Sequence, residues 1–115
     1  MGDTEAVAEA SIPAKRINGP VLVGSGSDDQ IWASAALAEL IDARLAAADH
    51  PYEVLERSYP DAGHDLTLPN VPTAIRSFGS FRWGGTAAGA AAANGQWWEE
   101  LVGFLDRHLC ADEPC

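Results

Sequence analysis

Three branched aliphatic residues, Val21-Leu22-Val23, form an unbroken run between Gly19-Pro20 and Gly24-Ser25-Gly26. A strand with one wet face alternates apolar and polar residues, so a run without alternation predicts a strand over 20–25 that is covered on both faces. A second segment, Tyr52-Glu53-Val54-Leu55-Glu56-Arg57-Ser58, predicts a strand over 52–58, stopped by Pro60, which cannot donate to a ladder. Between the two, Leu37, Leu40, Ile41, Leu45 and Ala48 recur at helical spacing within 34–48, and Ser34 is expected to cap that helix. Strand, helix, strand at this length predicts a right-handed crossover between parallel strands. The chain therefore reads as α/β.

Parallel strands joined in this way carry their C-terminal ends on the same side of the sheet, where ligands and catalytic groups collect in open α/β folds. The first strand is expected to leave through Gly24 and Gly26 into Asp28-Asp29. The second leaves through Pro60-Asp61-Ala62-Gly63, with Gly63 turning the chain so that His64 points back over the sheet. An acid and a histidine are thus brought to neighbouring strand ends.

The remaining segments frame these two ends. Residues 1–11 are an acidic, alanine-rich lead-in, 12–109 the folded domain, and 110–115 a polar tail. Pro69 and Pro72 make the stretch after His64 a loop, the kind of segment on which a rigid scaffold carries binding residues. Residues 77–85 mix aromatics and glycines with little period, and 86–93 is an alanine-rich run compatible with helix. A closing helix over 96–109 is predicted from Trp98, Leu101, Val102, Leu105 and Leu109, which share one face and are expected to pack on the sheet.

Composition narrows the classes of function. The 115 residues are 47% apolar, enough for one core, and carry a net charge of -10. That charge repels a phosphate backbone or an anionic bilayer, so neither nucleic acid nor membrane is an expected partner. No apolar stretch approaches the ~20 residues of a membrane span, and no basic segment followed by an apolar run opens the chain. A cytoplasmic location follows as the expectation. Cys110 and Cys115 lack zinc-like spacing and are expected to be free thiols in the tail.

Each candidate residue also has a bland reading. Asp28 and Asp29 could simply bond turn amides, and His64 could bond a loop carbonyl. A metal site from Asp61, His64 and Asp65 is disfavoured because their spacing in a turn prescribes no ligand geometry, so no metal and no cofactor are expected. His50 sits in the loop after the crossover helix, away from the strand exits, and His108 lies in the last turn of the final helix, where a cation suits the dipole. Trp97 and Trp98 read as core anchors.

An acid and a histidine are two thirds of a nucleophilic triad. The elbow Gly-x-Ser-x-Gly is missing, since Gly24-Ser25-Gly26-Ser27-Asp28 breaks it at its last position. In α/β-hydrolases the triad runs nucleophile, acid, histidine, which places the nucleophile and its oxyanion hole upstream of Met1. The chain then corresponds to the C-terminal part of such an enzyme.

Five ordered motifs carry a resemblance over roughly Ile12 to Leu109. They are Ile12-Pro13 with Ile17-Asn18-Gly19-Pro20-Val21-Leu22-Val23, then Gly26-Ser27-Asp28-Asp29-Gln30 and Trp32, then Tyr59-Pro60 with Ala62-Gly63-His64, then Trp83-Gly84-Gly85-Thr86, and a closing Trp98, Leu101, Phe104-Leu105 and His108-Leu109. Together they resemble the C-terminal domain of the acyl-CoA thioester hydrolase and bile acid-CoA:amino acid N-acyltransferase family. The resemblance implies an α/β-hydrolase fold and an acyl-CoA or other acyl ester or thioester substrate. It also implies a triad of serine or cysteine, aspartate and histidine, whose acid falls on Asp29 and whose histidine falls on His64. Asp28 becomes a turn residue. A partner chain, or self-association, is expected to supply the missing sheet, and the isolated chain is expected to be inactive and only marginally folded. Two other readings compete: a non-catalytic binding or regulatory remnant of the fold, and a fragment of a dienelactone-hydrolase-like or prolyl-peptidase-like enzyme.

Overall fold

The apolar run forms β1 (Val21–Gly26), the second segment forms β2 (Val54–Tyr59), and α1 (Ser34–Ala47) connects them. This is a computed structural model, and it describes residues 11–110. β1 and β2 pair in parallel with Val21 opposite Val54 and Gly26 opposite Tyr59, so both strand exits lie side by side. The chain is therefore α/β with parallel strands, as its pattern predicts. Ahead of β1, a single 3₁₀ turn at Ala14–Arg16 packs against α1.

α1 starts differently from expectation. Ala33 occupies the N-cap position and Ser34 is already helical, with no side chain capping the first turn. The Ser34 hydroxyl is drawn away from the helix amides toward the Gly26 carbonyl at 3.5 Å and toward the Asp29 carboxylate. Of the predicted stripe, Leu45 is fully buried, while Leu37 and Leu40 are exposed. Ala38 takes the covered position in their place.

Beyond β2 the chain runs without regular structure to a small antiparallel hairpin, β3 (Ser77–Phe78) and β4 (Phe81–Arg82), in the aromatic segment where no element is predicted. The last helix, α2 (Ala87–Leu109), is much longer than the expected 96–109. The alanine-rich run and the amphipathic run fuse into one helix that passes through Asn94-Gly95: no proline intervenes, and the buried Asn94 side chain accepts from the Thr67 amide. Thr86 caps the joint element by accepting from the Gly89 amide at 2.9 Å.

α2 also turns an unexpected face to the sheet. Its buried residues are Ala90, Ala93, Asn94 and Phe104, and Trp97 packs against the cluster of Tyr59, Ala62 and Ala93. Of the predicted stripe, Leu101 is half-buried, while Trp98, Val102, Leu105 and Leu109 are exposed, Trp98 at 38%. Small residues explain the choice. Alanines let the helix lie close to β1, and Gly24 leaves room for the Trp97 ring, which a Cβ at that position would meet at 2.5 Å. Gly24 and Gly26 thus lie inside the strand and serve close approach rather than its exit.

The tail differs as well. Cys110 is disulfide-bonded rather than free, while Cys115 lies outside the described residues. Among the described residues, no helix is long and apolar enough to cross a membrane. His50 Nε2 lies 2.8 Å from the Gly19 carbonyl and ties the loop before β2 to the entrance of β1. His108 pairs with Glu53 and stacks on Phe104.

Candidate active site

β1 ends at Gly26, and the turn that follows carries Asp28 and Asp29 beside the exit of β2. The Ser27 amide donates to the Tyr59 carbonyl and the Asp28 amide to the Ala62 carbonyl, each at 2.9 Å, so the two exits are bonded to one another. Asp61, at positive φ, makes the turn expected of Gly63. Gly63 meets a different requirement, since a Cβ there would lie 2.1 Å from the Trp83 carbonyl oxygen.

His64 Nδ1 lies 3.0 Å from Asp29 Oδ2. The Asp29 side chain is only 3% exposed, and that of His64 is 33% exposed. The other carboxylate oxygen of Asp29 accepts from the Ile31 amide at 2.9 Å and the Trp32 amide at 3.2 Å. Burial pushes the Asp29 pKa up, but the hydrogen bonds from His64, from the Ile31 amide, from the Ser34 hydroxyl and from the Trp32 amide outweigh it. The carboxyl is held below its ordinary value and is ionised at neutral pH. A carboxylate only accepts, so Nδ1 carries the proton and donates it, leaving Nε2 as the ring nitrogen able to take one. Trp32 stands edge-on to the imidazole with ring centroids 4.9 Å apart.

Asp28 has a different task. Its Oδ2 accepts from the Gly85 amide at 2.8 Å, and Gln30 lies at 3.4 Å. It holds the Trp83-Gly84-Gly85 strap against the acid loop and has no bond to His64. The strap holds the histidine too: the His64 amide donates to the Trp83 carbonyl at 2.8 Å, and the Thr86 amide to the Asp61 carbonyl at 2.9 Å. Gly84 makes the approach feasible, because it sits at φ 77° and a Cβ there would fall 1.7 Å from the Asp28 carbonyl oxygen.

Beside the pair lies a cavity of about 220 Å³ lined by Ser25, Gly26, Asp29, Trp32, Gly63 and His64, among others. Among the described residues no group of three or more His, Cys, Asp or Glu side chains is placed to hold a metal ion. Two contributors escape sequence reasoning. Asn94, buried in α2, accepts from the Thr67 amide at 2.9 Å and anchors the loop that follows His64. Arg76 makes a two-pronged ion pair with Asp65 at 2.6 and 2.7 Å. The signal for Arg76 is its isolation, for residues 66–81 carry no other charge.

The arrangement is an α/β scaffold presenting an oriented, half-exposed imidazole on a buried carboxylate, a pair suited to moving a proton for a nucleophile. The family described as "BAAT / Acyl-CoA thioester hydrolase C terminal" matches residues 3–111, and the chain belongs to that family. It is 30% identical to the peroxisomal succinyl-coenzyme A thioesterase of Mus musculus over 85% of this chain and 24% of that protein. It is 31% identical to the bile acid-CoA:amino acid N-acyltransferase of Mus musculus over 87% of this chain and 25% of that protein. The chain thus spans about a quarter of the length of the curated relatives it matches.

Proposed function

We propose that this chain is the C-terminal catalytic part of an α/β-hydrolase acting on acyl-CoA thioesters, and that it supplies the acid and the base of a triad completed from elsewhere. The observation that carries the reading is the 3.0 Å contact from Asp29 to His64 Nδ1, which leaves Nε2 for chemistry beside the cavity. In the assembled enzyme, a serine or cysteine from outside this chain attacks the thioester carbonyl as Nε2 takes its proton. The acyl group passes to the nucleophile and the CoA thiolate leaves with a proton from the imidazolium. Nε2 then activates water or an acceptor amine to release the acyl group. Asp29 keeps the proton on Nδ1 throughout and stabilises the charged ring.

The need for further sheet has its own support. A two-stranded sheet is marginal in water, and large apolar side chains on both helices stand exposed, among them Leu37, Leu40, Trp98 and Leu105. A partner segment, or a second copy, is the proposed cover. The expected cytoplasmic location stays a proposal from composition.

The test is a free-thiol release assay on acyl-CoA. The chain alone is expected to show no turnover, and the chain combined with the front part of a related enzyme is expected to show turnover that His64→Ala abolishes. Turnover in that combination undiminished by His64→Ala would overturn the reading in favour of a non-catalytic remnant.

A further inference from the structure

Arg76 does more than close a loop. Its Nη1 and Nη2 bind the two Asp65 oxygens at 2.6 and 2.7 Å, and Nε and Nη2 bind the Gly84 carbonyl at 3.1 and 2.5 Å. Asp65 is the residue after His64. Gly84 lies between Trp83, whose carbonyl receives the His64 amide, and Gly85, whose amide binds Asp28. One planar guanidinium therefore joins the histidine loop to the strap that also fixes the acid loop. Its side chain is 18% exposed and the Asp65 side chain 27%, so the pair is shielded and its geometry fixed.

We infer that Arg76 is a positioning residue for His64. It touches no reacting atom. By holding Asp65 and Gly84 together it sets where the His64 backbone sits, and so whether Nδ1 meets Asp29 while Nε2 faces the cavity. Displacement of a catalytic group by ~1 Å costs about 10²-fold in rate, and a loop tied at one end only can move that far. Lysine cannot replace arginine here, because a point charge cannot bind a carboxylate with two prongs and a carbonyl in the same plane.

The inference rests on the reading of Asp29 and His64 as acid and base, and its test is read on the ring itself. Nitrogen-15 NMR of the His64 imidazole in the full chain, at a pH where the ring is neutral, should show one fixed tautomer with the proton on Nδ1. In Arg76→Lys and in Asp65→Asn the two ring-nitrogen shifts should move toward each other as the Asp29 contact loosens. Thr73→Ala removes another anchor of the same loop, the 2.8 Å bond to the Ala87 carbonyl, keeps the Thr73 backbone carbonyl that accepts from Arg76 Nη1 at 3.5 Å, and should leave them unchanged. If Arg76→Lys does not fold, Asp65→Asn decides. Unchanged ring shifts in a folded variant, an equal change in Thr73→Ala, or loss of folding in both clamp variants would overturn the inference, the last by making the clamp a general support. In the assembled enzyme Arg76→Lys should lower kcat about 10²-fold with KM within about twofold. Perturbed ring shifts without turnover in any assembled enzyme would count against the proposed function alone. Turnover lost in Asp29→Asn but untouched in Arg76→Lys, with His64 unmoved, would count against the clamp alone.

Discussion

The strand exits and the outer faces of the two helices are built to different standards. At the exits, Asp28, Asp29, the His64 amide and imidazole, and the strap at Trp83–Gly85 all have bonded partners, and backbone approaches so closely that glycine is required. On the helices, Leu37, Leu40, Trp98, Val102, Leu105 and Leu109 stand in solvent. Polar geometry can be completed by a few local bonds between neighbouring loops. Apolar cover needs area, at roughly 25 cal/mol per Å², and among the described residues these side chains are left without it. The acid–histidine pair is fixed within the described residues, whereas the outer helix faces are not covered.

The largest expected effect comes from breaking the exits at their chemical centre. In an assembled enzyme Asp29→Asn should lower turnover by ~10⁴, by analogy with the loss of a triad acid elsewhere. Asp28→Asn should cost under about tenfold, since Asp28 holds a strap amide that a carboxamide oxygen can still accept. Equal losses in a thiol-release assay would dissolve the distinction between the two neighbours.

A backbone lesion comes next. Gly84→Ala adds a Cβ 1.7 Å from the Asp28 carbonyl at a φ of 77°, so the strap must move away from the acid loop. A loss of about 3 kcal/mol is expected from strain and broken bonds together. Ala→Gly at an exposed helix position, Ala91 for instance, should cost only about 1 kcal/mol. Denaturant titration of both variants checks the contrast.

How much of this could be read from the chain follows the same division. The parallel pairing, the crossover helix and the meeting of an acid at 28–29 with His64 were legible, because they depend on short-range pattern and on the rule that a crossover puts both strand ends on one side; that the acid is Asp29 and not Asp28 was implied only by the family resemblance. The buried face of α2 was not. Hydrophobicity favoured Trp98, Val102 and Leu105, but beside the expected anchor Trp97 the sheet selected Ala90 and Ala93, since close approach over Gly24 matters more here than side-chain polarity. The Ser34 cap failed for a similar reason, its hydroxyl having a nearer acceptor in the site. Arg76 and Asn94 stayed hidden because their partners lie in loops, where no periodicity announces a contact.

Acid provides a smaller and continuous perturbation. Asp29 has its pKa lowered from 3.8 in the folded state, so it binds protons more readily when unfolded. Its ionised form therefore favours folding above that value, and the contribution disappears as pH falls through the lowered pKa. The stability difference between the native chain and Asp29→Asn should shrink on acidification below about 3.8. A difference independent of pH down to complete protonation would mean that the hydrogen bonds accepted by the ionised Asp29 carboxylate, from His64, Ile31, Ser34 and Trp32 together, contribute nothing net to folding.

The smallest effect is expected on the outer stripe, and its smallness is informative. Val102 and Leu105 are exposed at 37% and 41%, so Val102→Ser and Leu105→Ser should change the stability of the chain by no more than about 0.5 kcal/mol each, as surface substitutions do. Phe104, one residue away but 8% exposed, should cost about 3–5 kcal/mol when cut to alanine. If a second copy covers the stripe, the serine variants should shift sedimentation toward monomer at unchanged unfolding midpoint. If a different segment covers it, they should weaken reconstitution with the front part of a related enzyme and leave self-association alone. A large loss of stability in either serine variant at a dilution where only monomer sediments would show that α2 already buries this face within one chain, and the contrast between a fixed acid–histidine pair and uncovered helix faces would fail.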